Sequence, residues 1–208
     1  MEYSKEFKQA LSEFSSIEKD RLIFRLLKKD KLLSKKLYFE LIDQETTDDK
    51  RNMMEDVIKE RISSASKYIS NPKYFLTLIR KLSAEITEHV KITTDKFGDV
   101  SLNLLLVSQV LEYHEKLNRE RFDMVYKLHM YLINKLLKAL ILIKKLDEDY
   151  WMEFDELLRD IDLQIHQILF LEKLCVNNSF DFNWLQSENI PDNLDAIVKD
   201  IKNQGFLR

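Results

Sequence analysis

Residues 72–94 read PKYFLTLIRKLSAEITEHVKITT. Phe75, Leu78, Ile79, Leu82, Ile86 and Val90 recur every three or four residues. That spacing lines one stripe of an α-helix and fits no strand, whose side chains alternate with a period of two. Ser70-Asn71-Pro72 closes the element before it, and Pro72 suits the first helical turn, where its missing N–H is not needed. The wider composition repeats this reading. The 208 residues contain two Gly and two Pro. Sheets need Gly, Pro and Asn-Gly turns to reverse the chain, and α/β folds spend Gly at strand ends. A chain so poor in both reads as all-α, and 45% hydrophobic residues supply a substantial core.

Upstream of this stretch, Ser15-Ser16-Ile17-Glu18 offers a capping box, which predicts a helix over 17–30. Asp30 marks a junction, and a second helix follows over 31–43. Thr46-Thr47-Asp48-Asp49 starts a third, over 49–69. Downstream, Gly98-Asp99 ends a connection, and Asp99 is read as the cap of a helix over 100–117. A long apolar helix follows over 119–145. Asp147 opens another over 148–175, with Phe154, Leu158, Ile161, Ile165 and Ile168 as its buried stripe. Asn177-Asn178 ends it. SFDFNWLQSENIPD (179–192) reads as the one long irregular segment, and a short helix over 191–203 closes at Gly205, with Phe206 as the hydrophobic contact beyond the stop.

The expectation is therefore one all-helical domain over 1–208 with about eight helices. Short polar breaks imply antiparallel helical hairpins at 17–43, 49–94 and 100–145. Two architectures satisfy this pattern: an irregular HEAT-like stacked array, or a compact bundle.

Several chemistries find no motif. The single cysteine, Cys175, permits no intrachain disulfide or Cys-based zinc finger, and reads as a small buried hydrophobe. The first residues lack an apolar signal core, and 128–146 is interrupted by Lys135 and Lys138, so no membrane span is expected and the chain reads as soluble and cytoplasmic. Di-metal bundles need Glu-x-x-His, but Ile86, Leu111, Tyr126 and Leu163 stand three residues before His89, His114, His129 and His166. Glu85/His89 and Asp162/His166 are spaced to share a helix face and read as structural pairs. His129 lies within the apolar stripe of Val125, Leu132, Leu136 and Leu140 and reads as a core or interface histidine with one satisfied nitrogen. No Gly-rich phosphate loop or Gly-x-Ser-x-Gly elbow exists. No cofactor, metal or catalytic residue is expected.

Two segments are candidate binding surfaces. KDRLIFRLLKKDKLLSKK (19–36) holds eight Lys or Arg against two Asp, a local +6 within a chain of net charge −3. At about 100° per residue, Arg21, Arg25, Lys28 and Lys29 share an arc of about 100°, with Leu22, Ile23, Phe24, Leu26 and Leu27 around the rest of the helix. Lys31 and Lys35 share a face of the next helix. Ordinary polar faces mix charge signs, because oppositely charged neighbours help the helix. This ridge either meets acids of later helices or awaits an anionic partner. Phe24 and Tyr38 read as core residues, which leaves the ridge without a stacking surface for bases. The second segment is the loop holding Phe180, Phe182 and Trp184, which either folds back over helix ends or forms an aromatic anchor for a partner.

Three functions are carried forward. The first is a non-catalytic helical interaction or scaffold protein with a protein partner. The second is a nucleic-acid-associated protein acting through 19–36. The third is an enzyme whose site is assembled from distant helices.

Overall fold

The computed structural model describes residues 2–207. It is all-α, with eleven α-helices among the described residues rather than eight. They are α1 (Lys5–Ser12), α2 (Ser16–Lys29), α3 (Lys31–Leu41), α4 (Thr47–Ala65), α5 (Pro72–Thr93), α6 (Lys96–Leu111), α7 (His114–Leu117), α8 (Phe122–Ile143), α9 (Asp155–His166), α10 (Leu169–Asn177) and α11 (Leu194–Asn203). Short 3₁₀ segments fill 66–68, 148–154, 182–185 and 187–189.

The local signals act as polar chemistry requires. Ser15 accepts from the Glu18 N–H, and the Glu18 carboxylate accepts from the Ser15 N–H at 2.9 Å, so both donors at the start of α2 are satisfied. Thr46 and Asp49 form the same reciprocal pair at α4. Asn71 caps α5 with Pro72 in its first turn, and Phe75, Ile79, Leu82 and Ile86 are buried along it.

Several elements differ from expectation, among them the helix read over 100–117, which ends at Leu111 and leaves His114–Leu117 as the separate α7. Helix α6 begins four residues early, because Asp95 and not Asp99 is its cap: the Asp95 carboxylate accepts from the Gly98 N–H at 2.8 Å. Gly98 therefore lies inside the helix. A Cβ there would stand 2.2 Å from Asp95 Oδ2, so only glycine leaves room for the capping carboxylate. The element expected over 148–175 is three: a 3₁₀ stretch, then α9 and α10 separated at Gln167–Ile168. No Gly or Pro marks that break. Ile168 adopts an extended conformation and buries completely, while Asn118 Nδ2 donates to the Gln167 carbonyl at 2.7 Å. Tertiary packing overrides helix continuation there. Helix α1, with no buried residue, was not anticipated.

Packing centres on α6. It contacts α4, α5, α8 and α9 substantially, and from Phe97 to Leu111 no residue is exposed. A helix apolar on all sides is stable only when surrounded. Helix α6 is thus enclosed by four neighbouring helices. One apolar core runs from Met54 to Leu207. At its end Gly205 takes a φ of 98°, the Phe206 N–H donates to the Ile201 carbonyl at 3.2 Å, and Leu207, not Phe206, inserts into the core.

Helices α1, α2 and α3 contribute no buried residue to that core. Helix α3 lies on α5, α2 lies on α3, and α1 has no substantial packing partner among the described residues.

Candidate interaction surface

The N-terminal helices form an arm joined to the body by α3 on α5, and many of its apolar side chains stay in solvent. Eleven of the 22 exposed large hydrophobics of the described chain fall within residues 3–42. An amphipathic helix ordinarily hides such a face against a neighbour. Among the described residues α3 is the substantial neighbour of α2, and Leu22 and Leu27 reach half-burial while Ile17, Ile23, Phe24 and Leu26 remain exposed. On α3 and just beyond it, Leu33, Tyr38, Leu41 and Ile42 are exposed too. Phe24 and Tyr38, read as core from sequence, are 63% and 61% exposed. The sequence supplied the apolar spacing, but no second layer of helix arrives to cover it.

The basic ridge lies on the same arm. Arg21, Arg25, Lys28, Lys29, Lys31 and Lys35 are all exposed. Lys35 pairs with Glu88 of α5 at 2.6 Å, and Lys36 reaches Glu40 at 3.8 Å. Arg21, Arg25, Lys28, Lys29 and Lys31 meet no carboxylate among the described residues. Acids of later helices therefore neutralise the edge of the ridge and leave its body open.

Charge and apolar surface are interleaved. Residues 17, 21, 24 and 28 are spaced by four, three and four, which stacks them along one helix face. Read along α2, that face runs Ile17, Arg21, Phe24, Lys28, all exposed.

The other candidate segment has a different fate. Phe180 and Trp184 are buried, with ring centroids 5.7 Å apart in an edge-on contact. Phe182 is half-buried, edge-on to Phe180 and tilted over the His166 ring at 4.7 Å. Asp181 caps this turn through the Asn183 N–H at 2.9 Å. The loop folds back over α9, and Phe180 and Trp184 are core residues here rather than an exposed aromatic anchor.

Histidines and other reactive groups are dispersed. His166 lies between Asp162 (3.4 Å) and Glu172 (2.8 Å). Glu85 turns away from His89 to pair with Arg61 at 2.8 Å. His89, half-buried, lines a 270 Å³ cleft at the root of the arm with Asp43 and Lys50, and burial pulls its pKa down. Lys50 there is held by Asp43 (2.8 Å) and Glu45. His129 is wholly buried as a core residue, but neither ring nitrogen has a partner among the described residues, where one satisfied nitrogen was expected, and burial lowers its pKa to about 4. Lys135, also buried, donates to Ser83 Oγ, and burial brings its pKa to about 8. Burial raises the Cys175 thiol to about 12, leaving it inert. A 560 Å³ groove between α4 and α5 is lined by Arg61, Tyr68, Leu78, Leu82 and Glu85, and none of these buried groups reaches it. Among the described residues no three His, Cys, Asp or Glu side chains are placed to hold a metal ion, and no helix is long and apolar enough to cross a membrane.

Comparison with known protein families, characterised proteins and solved structures finds no match to this chain. The fold defines the class alone: an all-α protein with a helical body and an exposed basic, apolar arm.

Proposed function

We propose that this chain is a non-catalytic docking or scaffold protein, in which the α4–α11 body presents the α1–α3 arm to a partner. One observation carries the reading: among the described residues, half of the exposed large hydrophobics lie within residues 3–42, beside five cations with no carboxylate opposite. Solvated apolar patches on a helix cost free energy, and large ones mark contact surfaces. His129 and Lys135 of α8 and Cys175 of α10 line neither the groove between α4 and α5 nor the cleft that holds His89, which supports a non-catalytic role.

A second reading has support of its own. Exposed Phe24 and Tyr38 restore the stacking surface that nucleic-acid binding needs beside its cations. The arm is in either case the contact surface. The test is binding of the full chain, and of Arg21→Glu/Lys28→Glu and Ile17→Ser/Phe24→Ser variants, to anionic vesicles, to single-stranded DNA and to an acidic polypeptide. The reading expects the arm variants to govern binding to at least one probe while circular dichroism stays unchanged. Arm variants that alter no binding would overturn it.

A further inference from the structure

We infer that the occupant of the α1–α3 arm is an anionic lipid surface, on which α2 lies in the headgroup plane. This rests on the docking reading above and names its partner.

The stripe Ile17, Arg21, Phe24, Lys28 sets the requirement. Any partner that covers Phe24 must also meet Arg21 and Lys28, because they are its neighbours one turn away on the same face. A second copy of this arm fails. Pairing two such stripes would bury four cations against one another, and unpaired buried charge is strongly destabilising. A phosphate backbone satisfies the cations, and bases can stack on Phe24 and Tyr38. It has no use for Ile17, the exposed aliphatic side chain that shares the α2 face of Arg21 and Lys28. A bilayer surface with acidic headgroups meets both demands at once. Ile17 and Phe24 enter the acyl boundary, while the long stems of Arg21, Arg25, Lys28 and Lys29 carry their charges up to the phosphates. Cations near an anionic leaflet each add attraction, and together with a buried apolar face they give binding that one signal alone does not. The arm's place in the fold suits this use. Among the described residues the substantial packing of helix α2 is with α3, so it can lie on a surface without unpacking α6.

The experiment is flotation of the full chain with vesicles of phosphatidylcholine alone, and with phosphatidylserine added. The inference expects capture only by vesicles containing phosphatidylserine. Capture weakens with salt and falls about tenfold or more for Arg21→Glu/Lys28→Glu. It also falls about tenfold for Ile17→Ser/Phe24→Ser, whose charge is unchanged. That second variant separates lipid from polyanion, since a purely electrostatic contact would ignore it. No capture at low salt overturns the inference, as does capture indifferent to Ile17→Ser/Phe24→Ser. If vesicles fail while single-stranded DNA or an acidic polypeptide binds through the arm, lipid is the wrong occupant and the docking function stands. If the arm variants are silent towards every probe, both fail.

Discussion

His129 should make the protein acid-sensitive well above the range in which carboxylates titrate. Its imidazole is wholly buried in α8 with both nitrogens unpartnered, and burial lowers its pKa from 6.5 to about 4. Between those values the unfolded chain binds a proton that the folded chain refuses. Stability therefore falls as pH drops from 6.5 towards 4. At 1.36 kcal/mol per pKa unit the full effect is about 3 kcal/mol, of which about 2 kcal/mol has appeared by about pH 5. For a chain of this size that lowers Tm by about 4–8 °C. His89, whose pKa burial also lowers, acts in the same direction. Glu18, Asp43 and Asp49 have lowered pKa values and lose their stabilising contacts only at more acid pH. Replacing His129 by Leu fills nearly the same volume and removes the titrating group. The assay is urea unfolding of the protein and His129→Leu across pH 7 to 5. The variant should match or exceed the parent at pH 7 and keep most of the stability the parent loses by pH 5. Equal losses in both proteins, or an NMR titration of His129 near 6.5, would refute the reasoning.

Lys135→Met should stabilise the protein by about 1–2 kcal/mol at neutral pH, because the buried ammonium is held at a pKa of about 8 against 10.5 when exposed. The gain should shrink as pH rises from 8 to 10.5, where the folded parent has already released its proton and its own stability climbs. Asp95→Ala removes both the α6 cap and the partner of Arg51 at 2.7 Å, and should cost about 3 kcal/mol in denaturant unfolding. Asp95→Asn, which keeps a capping oxygen, should cost less, and Arg51→Met should recover part of the Asp95→Ala loss. Phe75→Ala in the core should cost about 3–5 kcal/mol, whereas Phe24→Ala on the arm should leave the unfolding midpoint within about 0.5 kcal/mol of the parent.

Side chains acting through their own turn were readable from sequence. The Ser15 and Thr46 boxes, Asn71-Pro72 and the α5 stripe depend on partners three or four residues away. Contacts over longer distances were not. Gly98 looks like a chain breaker until the Asp95 carboxylate is seen occupying the space of its missing Cβ. Asp99, freed from capping, accepts from Asn103 Nδ2 at 2.8 Å instead. The break at Gln167 carries no breaker residue, since Ile168 is drawn into the core by distant helices. The basic ridge was legible as a pattern of charge. Its union with exposed Ile17 and Phe24 was not, because periodicity identifies an apolar face and says nothing about whether another element covers it. Phe180 and Trp184 show the reverse: a loop by local sequence, yet core by tertiary packing.

The central claim is that the arm's apolar face is uncovered, and amide hydrogen exchange on the free, monomeric full chain tests it most directly. Amides of α1 and α2 should open at a small fraction of the global unfolding free energy, while those of α6 exchange only through global unfolding. Amides of α2 exchanging as slowly as those of α6 would contradict the account, because the face carrying Ile17 and Phe24 would then already be packed.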